Sequence, residues 1–313
     1  MEEVIRVLCL NPTIDRMYYI DGFRSGRQFH GNRPDVYPSG KGVNVARVLR
    51  SLGDSPVLYA FIGGGNGNLV KEEVGSAGIE AVFFHHSGET RSTVNIIDHQ
   101  RKEETEITED GVEITKQEQN FFLSKLEDDL LEGDMVICSG LPMNGMDDDI
   151  YHKVSLLCER KKAQCSLDAN RKYLRSSFPG RYVFAKPNRS ELSSLFGYPD
   201  NQGEETIIEL AGKLADSGVD NVLVSEGDRG ACFVSSSRCY RVSIPAVEAI
   251  STIGCGDSSV AGFCHALYHG SSVEDAIRCS MACGIANTLT EKVGTVNLSD
   301  VQNFISSVRL DPL

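Results

Sequence analysis

Residues 134–169, "DMVICSGLPMNGMDDDIYHKVSLLCERKKAQCSLDA", pass from a strand-length apolar run through a helix-period stretch at 146–162 into a second strand-length run. Two strands joined by a helix lie parallel, since a parallel pair needs a crossover of a dozen or more residues. The same alternation extends in both directions. "VIRVLCL" (4–10), "SPVLYAFI" (55–62), "RYVFAKP" (181–187) and "DNVLVSEG" (220–227) are further core strands, and 43–52, 67–77, 115–131 and 203–217 are helical stretches. Helices at 273–288 and 298–308 close the chain. Apolar runs without alternation belong to strands covered on both faces, so the expected fold is α/β, a doubly wound, mostly parallel sheet with helices on both sides. Two polar regions, 13–38 and 88–113, break the pattern with short β-like pieces and are expected to form a small β-sheet lid on one elaborated domain spanning 1–313.

The composition, 41% hydrophobic and 24% charged over 313 residues, is that of a globular chain. No run approaches the roughly 18 apolar residues of a membrane span, and the start, "MEEVIRVLCLNP", has no basic region, so a soluble, cytoplasmic protein is expected. Ten cysteines include no CxxC pair, and Cys9, Cys138 and Cys232 sit inside apolar runs, as buried thiols do. His265 and His269 share a helix face, a spacing that Cys279 and Cys283 repeat in the next helix. "HALYH" lacks the glutamate of HExxH, and no metal site is expected there. A net charge of −13 argues against nucleic-acid binding, which depends on Lys and Arg neutralising phosphates. A small anion would have to be met by a local cluster of positive charge.

"STIGCGDSSVAGF" (251–263) is where such an anion could sit. Val260, Phe263 and Leu267 recur at helical spacing and Gly270 ends the stripe, so Gly254-Cys255-Gly256-Asp257 is a helix's first turn, with free N–H groups at its positive end. Asp257 has two readings, a dipole-compensating cap or a general base beside donors for a transferring group. "YPSGKGVNVARVL" brings Gly40, Lys41, Gly42 and Asn44 to a second helix start, yet it fails GxxxxGK[ST], and GCGDSS fails GxGxxG. Dehydrogenase chemistry has no fingerprint here. "LNPTID" places Asp15 after the first strand and "ETRSTV" places Arg91 at the lip of the lid. "AKPNRSEL" places Lys186, Asn188 and Glu191 after a core strand, with Asn188 and Glu191 spaced as a capping box.

Taken in order, "LNPTID", "SGKGVNVARVL", "TRSTVNII", "SGLP", "AKPNRSEL", "VSEGDRGA" and "STIGCGDSSVAGF" resemble the ribokinase-like sugar kinases, in particular the branch containing 1-phosphofructokinase and tagatose-6-phosphate kinase. The resemblance covers nearly the whole chain. It implies ATP-dependent phosphoryl transfer to a sugar hydroxyl, with Mg2+ required and K+ often stimulatory. Asp257 would be the catalytic base, and Gly254, Cys255 and Gly256 would supply N–H groups to the transferring phosphoryl group. Asp15, Arg27, Gly40, Lys41, Asn44 and Arg91 would meet the sugar phosphate. Lys186, Asn188, Glu191, Ser225, Gly227, Gly230 and Asn287 would lie along ATP, with Mg2+ near Asn188 and Glu191 and a K+ loop near Ile250, Thr252 and Gly294. A homodimer through the lid is expected.

Three departures from the family pattern bear on the acceptor. Gly140 stands in "CSGLP" where a substrate-contacting serine is usual, and Phe29 and His30 replace an Asn-Arg pair of the lid. Fructose 1-phosphate is the leading acceptor, with tagatose 6-phosphate, fructose 6-phosphate and a nonphosphorylated sugar or nucleoside as alternatives. A noncatalytic sugar-phosphate-binding regulator is the alternative of another class.

Overall fold

The computed structural model describes residues 3–313 except Asn32 and Asn170; Asn32 falls in the first lid segment and lies outside the described residues. The larger sheet has ten strands. Seven are parallel, β5 (Glu80–His85), β4 (Val57–Ile62), β1 (Ile5–Cys9), β8 (Met135–Ser139), β9 (Gln164–Asp168), β10 (Phe184–Ala185) and β11 (Asn221–Ser225), side by side in that order. They are followed by antiparallel β12 (Ala231–Ser235), β13 (Cys239–Ser243) and β14 (Arg309–Pro312). Val7 of β1 pairs with Leu58 of β4 on one side and Ile137 of β8 on the other. The chain therefore leaves the central β1 in one direction and later returns to build outward in the other. Parallel sheets bind ligands beyond the carboxyl ends of their strands at such a reversal.

The apolar strands bury both faces, and alternate residues go to opposite layers. Ile5, Val7 and Cys9 join one core with Leu58, Ala60 and Ile62, while Leu8 and Leu10 join the other with Val57, Tyr59 and Phe61. The first core is covered by α1 (Lys41–Ser51), α2 (Gly64–Ser76), α8 (Cys255–Tyr268), α9 (Val273–Thr288) and α10 (Leu298–Ile305). The second lies under α3 (Lys116–Asp129), α4 (Ile150–Lys161), α5 (Arg171–Ser176), α6 (Arg189–Leu195) and α7 (Glu204–Asp216). The expected stripe on α8 is buried at Val260 and Phe263, whose ring stacks on Phe184 at 3.7 Å, and Gly270 follows the helix end at φ 73°. Burying a side chain of this size contributes about 1.5–3 kcal/mol.

A separate four-stranded sheet holds β3 (Asp35–Ser39), β2 (Thr13–Tyr19), β6 (Ser92–Asp98) and β7 (Glu103–Thr108), in that order. It gathers the two polar regions that broke the sequence alternation. All six residues of β7 are exposed on the sheet's edge. The sequence reading missed β5 and the antiparallel edge β12–β14, and it carried the last helix to 308 where it stops at Ile305. β5 and β14 are the sheet's two edge strands and are only partly covered, so pairing rather than local patterning decides them.

Candidate active site

Two helix starts meet over the end of β1. Gly42 of α1 sits so close to the sheet that a Cβ there would lie 2.6 Å from both Cys9 Cβ and the Leu8 carbonyl oxygen, so only glycine lets α1 begin here. Gly40, at φ 120°, makes the turn into the helix. The start of α8 is turned by Gly254 at φ 80°. The two starts are tied together by Asn44, whose Nδ2 donates to Asp257 Oδ2 at 2.8 Å. Among the described residues, no acceptor faces the backbone N–H groups of Gly256 and Asp257, which leaves them free to receive an anion.

The cleft above these turns has a volume of about 570 Å³, and Asp15, Gly40, Lys41, Asn44, Arg91 and Asp257 all open onto it. Cys9, Asn11, Gly254, Gly256 and, from the second sheet, Glu106 and Thr108 are among the other residues of its walls. Lys41 Nζ is 3.1 Å from Asp168 Oδ2, a carboxylate at the end of β9 that is itself buried. Lys186 reaches the same place from the other side: a Cβ on Gly256 would lie 3.3 Å from its Nζ.

Burial sets the electrostatics. It lifts the Asp257 carboxyl to about 6 despite the opposing Lys41 charge, with the Asp168 charge adding to the rise. Burial acts on Asp168 in the same sense, but Lys41 and Lys186 outweigh it and hold that carboxyl below the usual range. Attraction to Asp168 raises Lys41 in turn, so Lys41 stays charged. Burial also lifts Asp15 to about 6 against a hydrogen bond from Ser39. At Arg91 burial lowers the guanidinium, whose Nη2 donates to the Asn11 carbonyl oxygen at 3.3 Å and whose buried Nε has no partner. Among the described residues Arg91 forms no ion pair, so it can take up an anionic substituent at little cost in broken contacts.

The second half of the predicted set assembles beside this cleft. Asn188 caps α6 by accepting from Glu191 N at 2.8 Å, while the Glu191 carboxylate accepts from Asn188 N at 2.9 Å, the expected capping box. Ser225 N donates to the Pro187 carbonyl oxygen, which brings the 186–191 and 225–230 loops together. Gly227 and Gly230 both have positive φ in that second loop. These loops, with Lys186 over the open N–H groups of α8, fit a polyphosphate. Asn287 is committed to the glycine turn itself, donating to the Ile253 carbonyl oxygen at 2.7 Å and accepting from Gly294 N and Ser258 Oγ, each at 3.0 Å. It thereby fastens the 250–253 segment, including Thr252, to the segment of Gly294; Ile250 N donates to Thr288 O. Arg27 is exposed on the loop between β2 and β3 and stands outside the cleft, as do Phe29, packed on Phe23, and the exposed His30. Gly140 has φ 95°, a conformation in which any side chain is strained, and a Cβ there would lie 3.3 Å from Lys41 Cβ.

Asp168 was not singled out from the sequence. Its signal was a carboxylate at the C-terminal end of a core strand, the one charged position in "AQCSLDA", which a fully covered strand should avoid unless paired.

This arrangement of free N–H groups, a buried carboxylate and local cations in an acidic chain suits the transfer of a phosphoryl group. The chain belongs to the pfkB family of carbohydrate kinases, whose pattern matches residues 7–300. It is 28% identical over 310 residues to the 1-phosphofructokinase of Bacillus subtilis strain 168, covering 99% of this chain and all of the relative. Phosphofructokinase-2 of Escherichia coli has the same fold: its potassium complex superposes with a TM-score of 0.90 at 23% identity, covering 97% of this chain and 99% of that one. Its fructose-6-phosphate complex gives 0.87 at 24% identity over the same shares of the two chains. Ribokinase of Arabidopsis thaliana, complexed with ribose and ATP, gives 0.77 at 19% identity, again over 97% and 99%. The protein is a sugar kinase. None of its helices is long and apolar enough to cross a membrane among the described residues.

Proposed function

We propose that the protein transfers the γ-phosphoryl group of ATP to a hydroxyl of fructose 1-phosphate, making fructose 1,6-bisphosphate. The observation that carries this reading is Arg91, an unpaired guanidinium in the same cleft as the buried Asp257 carboxylate. Asp257 accepts the proton of the attacking hydroxyl; a carboxyl near 6 is ionised at neutral pH and more basic than an ordinary one. The N–H groups of the Gly254–Asp257 turn and the Lys186 ammonium receive charge on the moving phosphoryl group, and Arg91 holds the phosphate the sugar already carries. Asp15 accepts a sugar hydroxyl. ATP lies along Lys186, Asn188, Glu191 and the 225–230 loop, and Mg2+ near Asn188 and Glu191 supplies further charge neutralisation when bound.

The whole chain works as one unit in this reading, with the four-stranded sheet as its lid. A potassium site at the loop of Ile250, Thr252 and Gly294 is part of the proposal, supported in kind by the existence of a potassium complex of the Escherichia coli relative. The exposed edge of β7 leaves unpaired strand groups, and pairing of two lids into a homodimer covers them. A dimer mass by light scattering at micromolar protein is expected, and a monomer mass overturns that point.

The fructose-6-phosphate complex of the Escherichia coli relative favours a second acceptor. A coupled ADP-release assay with MgATP decides between them, run with fructose 1-phosphate, fructose 6-phosphate, tagatose 6-phosphate and free fructose. The highest kcat/KM is expected with fructose 1-phosphate. Preference for free fructose refutes the phosphate grip of Arg91, and no turnover with any sugar despite tight sugar-phosphate binding identifies a regulator.

A further inference from the structure

The helix pair that builds the active site at its N-terminal ends is joined a second time at its C-terminal ends. Asp54 follows the last turn of α1, its N–H held by the Leu49 carbonyl oxygen at 3.0 Å and its carboxylate buried. Its Oδ2 lies 2.8 Å from His265 Nδ1 and its Oδ1 lies 2.8 Å from His269 Nε2, the first histidine in the last turn of α8 and the second its C-cap. One donor atom from each of the three residues lies within 4.8 Å of the others. Eight residues of helix separate His265 from Asp257, about 12 Å along the axis, so this cluster is remote from the cleft.

We infer that Asp54, His265 and His269 bind a divalent late transition-metal ion, with Zn2+ as the best fit, which clamps the C-terminal ends of α1 and α8. Two imidazole nitrogens and one carboxylate oxygen are a donor set suited to Zn2+ and not to Mg2+, which prefers oxygen alone. Tetrahedral ligation at about 2.0–2.2 Å needs donor atoms about 3.3 Å apart. The two rings now meet different oxygens of Asp54, at 2.8 Å each, and the three donor atoms lie within 4.8 Å of one another, so side-chain rotation on the order of an ångström brings them to that spacing. On binding, the ion takes the place of the proton each ring nitrogen now directs at the carboxylate; a neutral imidazole carries that proton on its other ring nitrogen instead, and an imidazolium releases one to solvent. The side chain of His269 is 52% exposed and that of His265 is 24% exposed, which provides an entry path. A fourth ligand from water completes the shell. The HExxH glutamate missing from "HALYH" serves catalysis in such motifs, so its absence excludes a protease-like site and leaves a structural one open.

The test is equilibrium dialysis of the full chain against Zn2+ at micromolar concentration, with bound metal measured by elemental analysis. Thermal unfolding is followed with Zn2+ and with EDTA, in the absence of nucleotide and sugar. Wild-type protein is expected to bind one Zn2+ that the His269→Ala variant lacks; this half-exposed side chain can be removed with little risk to folding. The midpoint should rise by about 4 °C at zinc a hundredfold above Kd, and the rise should vanish in His269→Ala and in His265→Gln. Wild type that binds no zinc overturns the inference. So does zinc that His269→Ala retains equally, which would place the metal on thiols elsewhere. A pair that acts only as a His–Asp ion pair gives equal melting in zinc and EDTA.

Discussion

Asp257→Asn should inactivate the enzyme and stabilise it. The carboxyl sits at about 6 in the fold against an ordinary value of 3.8 because it is buried, so keeping it ionised at neutral pH costs the folded state about 3 kcal/mol. Asparagine removes the charge and can still accept the Asn44 hydrogen bond. Lys41 loses one of its attracting charges but keeps Asp168, so the net gain should be about 1–3 kcal/mol. The sign with pH is fixed. Below 3.8 both folded and unfolded carboxyls carry a proton and the variant gains nothing from charge removal. As pH rises to about 6 the unfolded chain ionises first and wild-type stability falls; above about 6 the cost is complete. Urea unfolding of both proteins at about pH 8, 6 and 4 should therefore show a stability gap that is full at the first and nearly closed at the last. Turnover in the coupled assay should drop by about 10²-fold or more, as expected on removing a general base. A gap of the same size at all three pH values, or a variant less stable than wild type at about pH 8, would refute burial as the source of the raised carboxyl. Near-normal turnover in a folded variant would refute its role as the base.

The other predictions concern groups around it. Arg91→Ala should raise KM for a phosphorylated ketose by about 10–100-fold with kcat changed far less, the signature of lost uniform binding, and steady-state kinetics on the acceptor panel read it directly. Asp168→Asn removes a neighbouring negative charge that lifts Asp257, so the acid limb of the kcat–pH profile should move to lower pH; an unmoved limb counts against that coupling. Gly254→Ala puts a side chain at φ 80° with its Cβ 2.8 Å from Val293 Cγ1 and 2.9 Å from Gly294 N. It should cost about 1–3 kcal/mol in thermal unfolding and weaken ATP use, since the phosphate-facing turn must shift. Asp134→Ala leaves Arg6, paired at 2.7 Å and buried, without its carboxylate and should destabilise by about 3–5 kcal/mol in urea with KM for both substrates unchanged.

Where the sequence was legible, the physics was local. Unbroken apolar runs such as "VLYAFI" identified strands covered on both sides, and the Asn188–Glu191 spacing identified a capping box that the structure forms atom for atom. The glycine turn before Asp257 was legible because helix starts and positive φ leave marks in composition. Pairing across long distances left none. Asp168 meets Lys41 from 127 positions away, and only the parallel register of β8 with β9 brings it to the cleft. Asn287 is a similar case: its position was visible, but four hydrogen-bonding neighbours commit it to holding the glycine turn. Arg27 shows the opposite limit: the resemblance to the family's lid suggested it, where Phe29 and His30 replace the usual Asn-Arg pair, and it is exposed and outside the cleft.

The cations of the cleft differ in how far their charge is already answered, and that difference assigns them to different partners. Lys41 faces Asp168 at 3.1 Å and feels Asp257 as well, so a phosphate arriving there competes with carboxylates for the same ammonium. Its effect is then mostly on Asp257, where it limits how far burial can raise that carboxyl. Arg91 has no carboxylate partner among the described residues and one buried nitrogen without an acceptor, so an arriving phosphate completes its contacts without displacing any ion pair. Asp15, Glu106 and Asp110 act on Arg91 only through space, without an ion-pair contact, so in a chain of net charge −13 it remains a local centre of attraction for a dianion. In the proposed reaction, binding at Arg91 and chemistry at Asp257 would thus be served by separate charges, and an acceptor that carries a phosphate at one end and a hydroxyl at the other would span them.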